Sequence, residues 1–384
     1  MSKTRSIFEE VDAPSTATAQ AKPTTPKAGL IDAGADRGRG AVRVWLLILG
    51  LLVVTMITVG GLTRLTDSGL SITEWRPVTG ALPPMSAEAW ESEFAKYKEI
   101  PEYQLQNSGM SMAEFKVIYW WEWGHRQLGR VIGLVWAVGL GALLLTKRVP
   151  QGWTGRLVLL GALGGLQGAI GWWMVSSGLT GRMLDVASYR LAVHLGLAFV
   201  ILGLITWFMM QLSRPAVALM QARRDREAKL FSMSTGLMHF AMLQILIGAL
   251  VAGIDAGRSY TDWPLMAGQL FPANAFDLIP IWSNFFENAG LVQFIHRVAG
   301  YLLVILGVVV WLRGRKSGNT TTRLAFHIAF GLLVWQIVLG VITVLNAAPL
   351  HWAILHQFTA VLLWVAIIRA RFFSQYPVAQ SVRA

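Results

Sequence analysis

Long apolar runs that carry almost no charge limit the possible folds of this chain more than any other feature. Uncharged runs occupy residues 44–63, 157–181, 191–213 and 230–254. A helix needs about 20 apolar residues to cross the hydrocarbon core of a bilayer. The composition agrees, since 54% of the 384 residues are hydrophobic and only 14% are charged. We therefore predict an all-α integral membrane protein.

Eight transmembrane helices follow when the apolar stretch 324–368 is divided at the turn 346–349. We predict them near 43–63, 118–146, 157–178, 190–212, 231–253, 291–312, 324–345 and 350–369. Similar spacings of Gly, Gln, Trp and His in the two halves of the chain predict two tandem pseudo-symmetric four-helix bundles. Because each half has an even number of spans, both would share one orientation, related by an axis along the membrane normal.

The predicted organisation has five parts. They are a disordered cytoplasmic tail at 1–40, an N-terminal half at 41–213 with a long outer loop at 66–117, a cytoplasmic linker at 214–230, a C-terminal half at 231–372 and a cytoplasmic tail at 373–384. The first tail is rich in Ala, Thr, Pro and Gly and shows no apolar periodicity. The outer loop contains an acidic segment, 87–97, that we expect to be helical.

The formal net charge of +12 does not indicate a nucleic-acid partner, because the basic residues lie mainly in short segments between alternate helices. Lys147, Arg223 and Arg315 each belong to one such segment. An excess of Lys and Arg is typical of cytoplasmic loops. We therefore predict that both termini are cytoplasmic, and a bacterial inner membrane is the simplest location.

Four histidines occur near the outer ends of four different predicted helices. They are His125, His194, His296 and His356. Two histidines from different helices can hold one haem iron from opposite faces, so we predict two haem sites, side by side near the periplasmic surface. The chain has no cysteine, which excludes thiolate ligands, iron–sulfur clusters and Cys-attached haem. The alternative for each histidine is a hydrogen-bonded packing residue, and that is how we interpret the remaining three, His239, His327 and His351.

Glu122 lies three residues before His125, so both side chains share one face of a helix. The equivalent position in the second half is Gln293. An ionisable residue at the membrane boundary is a functional candidate, and the alternative is an interfacial carboxylate paired with an arginine. The asymmetry predicts chemistry at the first site and a fixed cofactor at the second.

Arg126 and Arg297 each follow a predicted ligand and project about 100° away from it around the helix. With Arg190 at the same level, they are candidates for binding haem propionates. Anchoring to the membrane interface is the alternative for each.

Three segments place a glutamine four residues before a glycine. They are Gln167–Gly171, Gln244–Gly248 and Gln336–Gly340. We interpret these glycines as points of close helix approach rather than as binding residues.

Several sequence motifs resemble the haem A synthase family. They are Glu122-Trp-Gly-His125-Arg126, Gln167-Gly-Ala-Ile-Gly-Trp-Trp-Met-Val175, Tyr189-Arg190-Leu-Ala-Val-His194, Asp262-Trp263-Pro264, Gln293-Phe-Ile-His296-Arg297 and Leu355-His356-Gln357. The resemblance runs from about residue 42 to 370. Some members carry a cysteine pair in the first outer loop, and this chain resembles the cysteine-free subgroup.

This resemblance implies an enzyme that oxidises the C8 methyl group of haem O to a formyl group by successive hydroxylation, which gives haem A for cytochrome oxidase. It implies that His296 and His356 hold haem b as a cofactor. His125 and His194 would bind the substrate haem O beside the catalytic Glu122. The implied partners are haem O and haem A, membrane lipid, the haem O synthase, cytochrome oxidase assembly factors and an electron acceptor that the resemblance does not identify.

Two other functions fit paired histidines in a membrane protein. One is a cytochrome b that passes electrons between quinone and a partner, and the other is a haem chaperone or transporter. The first is disfavoured because each helix supplies one ligand and all four ligands lie at one level, whereas an electron carrier needs haems near both faces of the membrane.

Overall fold

The structure, a computed structural model, describes residues 38–181 and 183–380. Eight helices in these ranges are long and apolar enough to cross a membrane, which confirms the predicted class and number of spans. They are α1 (Arg39–Leu65), α2 (Met112–Leu145), α3 (Thr154–Val175), α4 (Ser188–Gln211), α5 (Ala228–Gly253), α6 (Ala289–Gly314), α7 (Thr320–Leu345) and α8 (Leu350–Gln375).

Two helix ends differ from the prediction by six residues. Helix α2 begins at Met112 because the Ser111 hydroxyl accepts from the backbone N–H of Glu114, and the Glu114 carboxylate accepts from the backbone N–H of Ser111. This capping box satisfies donors that a helix start leaves free. Helix α8 continues to Gln375, so it includes the first residues of the predicted tail at 373–384. Residues 1–37 of the predicted N-terminal tail and residues 381–384 lie outside the described ranges.

The first four long helices form a closed ring in which α1 contacts α2, α2 contacts α3, α3 contacts α4 and α4 returns to α1. Leu46 of α1, Leu157 of α3 and Phe199 of α4 are almost fully buried in its core. Burying an apolar side chain of this size stabilises a fold by about 1.5–3 kcal/mol in water. Within a bilayer, close packing contributes instead, because lipid tails are as apolar as leucine.

Helices α5 to α8 form a second ring with the same order of contacts. The two rings meet where α4 packs on α5 and α8, and where α8 packs on α1. Trp364 of α8 donates from its indole nitrogen to the Phe199 carbonyl oxygen at 2.9 Å. Gln357 of α8 donates to the Ile57 carbonyl oxygen of α1 at 2.6 Å. The repeated contact order agrees with a tandem arrangement, while the symmetry axis itself stays a prediction.

Two long connections lie at one end of the bundle, because α1 and α5 end there and the even-numbered helices begin there. We call this the loop end, formed by residues 66–111 and 254–288. The first connection contains the helices Ala87–Lys98 and Pro101–Leu105, which confirms the helix expected at 87–97. Phe94 and Tyr97 of this connection pack on Phe115 of α2, which in turn contacts Tyr119. This aromatic cluster fixes the first connection over the start of α2.

Candidate functional site

The four predicted histidine ligands lie in two pairs, one in each ring. Each histidine is in the first half of an even-numbered helix, toward the loop end. His194 lies close enough to His125 to act on it electrostatically, and His356 lies close enough to His296 to do the same. The fold therefore brings together one imidazole from α2 and one from α4, and again one from α6 and one from α8.

The other three histidines are exposed, and each contacts a residue outside these pairs. Nδ1 of His239 contacts the carbonyl oxygen of Thr235 on its own helix at 2.8 Å. His327 accepts from the indole nitrogen of Trp311 at 3.0 Å. The ring of His351 lies 5.3 Å from that of Trp352. These contacts suit the packing or interfacial role that we predict for them.

Glycine makes room for each paired imidazole on the preceding helix. A Cβ added at Gly171 would lie 2.9 Å from Cε1 of His194, and one at Gly340 would lie 3.1 Å from Cε1 of His356. Distances below about 3.4 Å are tighter than ordinary van der Waals contact. The sequence predicts that a neighbouring helix comes close at these glycines. In the structure, the group that comes close is the imidazole of a histidine on that helix.

A glutamine one helical turn before the glycine holds three of the four histidines. The amide Nε2 atoms of Gln167, Gln244 and Gln336 donate to the carbonyl oxygens of His194, His296 and His356 at 3.0, 2.9 and 3.0 Å. The same nitrogens lie 3.1–3.3 Å from Nδ1 of the respective rings. We call this arrangement the glutamine clamp.

The Glu122 carboxylate is buried one helical turn before His125, and both of its oxygens accept hydrogen bonds. Its Oε2 atom accepts from the Ser71 hydroxyl and from the backbone N–H of Ile72, both at 2.7 Å. Its Oε1 atom accepts from Nη2 and Nε of Arg126 at 2.6 and 3.0 Å. Only 3% of the residue is exposed. Charge-assisted bonds of this kind are about twice as strong as neutral ones, so the carboxylate has one fixed position.

Arg126 also anchors the first connection, because it donates to the carbonyl oxygens of Ile72 and Glu74 at 2.7 and 3.0 Å. The same guanidinium therefore ties α2, the first connection and the carboxylate of Glu122 together. That Arg126 also binds a haem propionate stays a prediction.

The second ring repeats this anchor with a neutral partner. Arg297 donates to the carbonyl oxygens of Tyr260 and Asp262 at 3.0 and 2.9 Å, and to Oε1 of Gln293 at 3.1 Å. The Gln293 amide nitrogen donates to the carbonyl oxygens of Ala256 and Tyr260. A carboxylate in this position would face those carbonyl oxygens as another acceptor. The loop backbone therefore differs between the two rings. It presents an N–H group to the carboxylate of Glu122 and carbonyl oxygens to the amide nitrogen of Gln293.

Arg190 lies at the same level and is held by α3. It donates to the Trp173 carbonyl oxygen at 2.6 Å, and its guanidinium lies 4.7 Å from the centre of the Trp173 ring. Its buried Nε atom has no hydrogen-bond partner among the described residues, and neither does Nε of Arg297. A role for either residue in binding a propionate stays a prediction.

A second buried carboxylate, at a position where the sequence predicts no site residue, lies at the loop end within electrostatic range of Glu122. Glu102 of the helix Pro101–Leu105 is 2% exposed, and its Oε2 atom has no partner among the described residues. Burial raises the pKa of Glu102 to about 8, and the nearby charges of Asp185, Asp67 and Glu122 act in the same direction. The signal in the sequence is weak, since Glu102 is one acidic residue in a polar loop.

Each pair supplies only two ligands, which fits a metal ion whose other ligands belong to the group that carries it. Within 38–181 and 183–380, no group of three or more His, Cys, Asp or Glu could hold a metal ion. Two imidazoles suffice for a haem, whose porphyrin occupies the other positions. In addition, the amide oxygens of Gln167, Gln244 and Gln336 are buried without partners. A metal-bound histidine usually gives its other ring N–H to such an acceptor.

Comparison with known proteins gives one consistent result. The family described as cytochrome oxidase assembly protein matches residues 43–368. A heme A synthase of Dinoroseobacter shibae is 65% identical over 384 residues, which cover all of this chain and 99% of that protein. A heme A synthase of a Ruegeria species is 63% identical over 99% of both chains. A heme A synthase of Paracoccus denitrificans is 58% identical over 99% of this chain and 98% of its own length.

Proposed function

The chain belongs to the family of cytochrome oxidase assembly proteins, and we propose that it acts as a haem A synthase. In this proposal it oxidises the C8 methyl group of haem O to the formyl group of haem A by successive hydroxylation. Full-length similarity to proteins named heme A synthase supports the proposal. Replacing a methyl group by a formyl group removes four electrons, so the reaction also needs an electron acceptor or oxidant that the side chains do not supply.

The two histidine pairs have different tasks in this proposal. His296 and His356 hold haem b, which supplies redox chemistry when it is bound. His125 and His194 bind haem O as the substrate and later release haem A. The observation that carries this division is the buried carboxylate of Glu122 beside the first pair, where the second pair has the neutral Gln293.

Glu122 is the proposed catalytic residue because it lies one helical turn from His125 on the same face of α2. Arg126, Ser71 and Ile72 hold both oxygens of its carboxylate in place. A carboxylate in a fixed position can orient a substrate or accept a proton without first reorganising. Oxidation of the methyl group releases protons, and the carboxylate of Glu122 is the proposed group that accepts them.

The membrane placement is part of the same proposal. The basic segments between alternate helices support a bacterial inner membrane location with both termini in the cytoplasm. The loop end and both histidine pairs would then face the periplasm. Haem O synthase and cytochrome oxidase assembly factors are the proposed protein partners, because they supply the substrate and receive the product.

The decisive experiment co-expresses the chain with a haem O synthase and identifies the extracted haems. We expect formyl-bearing haem from the unaltered chain. Glu122→Ala should retain haem b and accumulate haem O. The matched control is Gln293→Ala, which removes the equivalent side chain next to the second pair and should still give haem A. Equal loss of haem A in both variants would show that anchoring of the connections, rather than chemistry at Glu122, limits the reaction.

Histidine variants test the allocation of the two pairs. His296→Ala should deplete haem b, and His125→Ala should abolish haem O conversion while a b-type spectrum remains. His239→Ala is the control, because this exposed histidine lies outside both pairs. A chaperone or an electron-transfer cytochrome would bind haem normally and yield no formyl-bearing haem from the unaltered chain.

A further inference from the structure

The fourth histidine lacks the clamp that holds the other three. His125 faces Gly60 on α1, where an added Cβ would lie 3.3 Å from Cε1 of the imidazole. One helical turn earlier, the position that carries glutamine in the other three cases is Met56. A thioether has no N–H to donate, so His125 receives no amide hydrogen bond from this position.

Met56 and Gln244 occupy matching places in the two rings. The methyl carbon of Met56 lies 3.5 Å from a Cβ added at Gly129, which follows His125 by four residues. The amide nitrogen of Gln244 lies 3.4 Å from a Cβ added at Gly300, which follows His296 by four residues. The two side chains therefore reach the same point on the neighbouring helix, and the difference between them is chemical rather than positional.

We propose that Met56 is a positioning residue that leaves His125 free to release its haem, whereas clamped histidines retain theirs. The first pair then combines one clamped ligand, His194, with one unclamped ligand, His125. Both ligands of the second pair are clamped, by Gln244 and Gln336. This inference rests on the proposed function, because it assumes that the first pair binds a haem that must leave.

The physical reason is the cost of moving a ligand away from a metal. To let a haem leave, the imidazole or its helical turn must move, and a clamp resists that movement through its hydrogen bond to the histidine carbonyl and its contact with the ring. The supporting partners of metal ligands typically change metal affinity by about 10–100-fold when they are removed. A substrate site needs exchange, while a cofactor site needs retention.

Reciprocal substitutions provide the test. The full-length protein is purified in detergent with its bound haems, and transfer of haem to excess apomyoglobin is followed optically. We expect a fast and a slow phase from the unaltered chain. Met56→Gln should slow the fast phase by about tenfold, and Gln244→Met should accelerate the slow phase by a similar factor. Met56→Leu, which removes the sulfur without adding an amide, should leave the fast phase as it was.

A spectroscopic measurement separates positioning from a general loss of structure. The electron paramagnetic resonance spectrum of a ferric bis-imidazole haem depends on how the two ring planes are oriented. Met56→Gln should shift the signal of the rapidly exchanging haem and leave the other signal unchanged. An unchanged fast phase in Met56→Gln would overturn the inference, as would an equal effect of Met56→Leu, which would assign the role to the thioether.

His125→Ala distinguishes this failure from failure of the proposed function. If His125→Ala removes the fast phase, the first pair does bind an exchangeable haem, and the result for Met56→Gln decides the inference alone. If His125→Ala changes neither the haem content nor either phase, the first pair holds no haem. That outcome contradicts the proposed function and removes the premise of the inference as well.

Discussion

Replacing Glu122 by glutamine should test whether the buried carboxylate holds the first connection on α2, separately from the catalytic role proposed for it. Glutamine keeps the shape of the side chain and removes its charge. Its carbonyl oxygen can still accept from Arg126, as Gln293 does from Arg297. Its NH₂ group would then face the backbone N–H of Ile72. In the structure this N–H donates a hydrogen bond of 2.7 Å to the carboxylate of Glu122.

The expected cost follows from these contacts. Leaving the buried N–H of Ile72 without an acceptor costs about 1–3 kcal/mol. Replacing the ion pair between Arg126 and Glu122 by hydrogen bonds from Arg126 to a neutral amide oxygen costs about 1 kcal/mol more. We therefore expect Glu122→Gln to lower the free energy of unfolding by about 2–4 kcal/mol. The melting temperature should fall by about 4–8 °C, at roughly 2 °C for each kcal/mol.

Thermal unfolding in one detergent at one scan rate is the appropriate assay, because unfolding of such proteins is often irreversible. The single variants Glu122→Gln and Arg126→Gln and the double variant together form a double-mutant cycle. Residues in direct contact typically show a coupling energy of about 0.5–3 kcal/mol, so the double variant should lose less stability than the two single losses added together. Strict additivity would refute the conclusion that this ion pair anchors the connection.

The second ring provides the mirror experiment. Gln293→Glu would place a carboxylate against the carbonyl oxygens of Ala256 and Tyr260, which now accept from the amide of Gln293. Losing two donors and adding acceptor repulsion should destabilise the protein by about 2–4 kcal/mol. If Gln293→Glu had no effect on stability, the different loop orientations in the two halves would not determine which side chain each position accepts.

Three further predictions concern the loop end and the junction between the rings. The pKa of Glu102 is raised to about 8 in the folded protein from an ordinary value of 4.5. The folded state therefore binds the extra proton between these values, and the contribution of Glu102 to stability should be full below pH 4.5 and be lost as the pH rises toward 8. Glu102→Gln should remove this slope in melting curves recorded from pH 5 to 9, and an unchanged slope would contradict the assignment. Arg64→Gln should lower stability by about 1–2 kcal/mol, less at high salt, because Arg64 of α1 pairs with the partly exposed Asp185 and Asp255 at 3.4 and 2.8 Å. Gln357→Leu should cost about 1 kcal/mol by removing the hydrogen bond from α8 to α1, whereas an unchanged melting temperature would show that this bond does not stabilise the junction.

The spans and the histidine positions could be predicted from the sequence because they depend on local patterns. Apolar run length determines which segments can cross a bilayer, and the eight helices lie where these runs occur. The start of α2 was less predictable. Its capping box places Met112 in the helix before the apolar run begins, so hydropathy alone misses the first part of the helix.

The contacts of the arginines could not be predicted, because they depend on the path of connections with no regular pattern. Arg126 and Arg297 are recognisable beside the histidines, but the carbonyl oxygens that they bind belong to residues distant in sequence. The glutamines were visible as a repeated spacing before glycine. Their meaning became clear only when the fold placed each amide against the carbonyl of a histidine on the next helix.

The two rings share one arrangement of helices and differ at a few positions next to the histidine pairs. Both rings of helices contain a pair of imidazoles, a glycine beside each imidazole and an arginine that anchors the connection at the loop end. The first ring differs by a buried carboxylate at Glu122 and an unclamped ligand next to Met56. In the proposed function the carboxylate provides a reactive group, and in the inference about Met56 the missing clamp permits exchange, so both differences would favour turnover of a bound haem. The second ring has neutral amides at both positions, Gln293 and Gln244, which in the same proposal would favour retention.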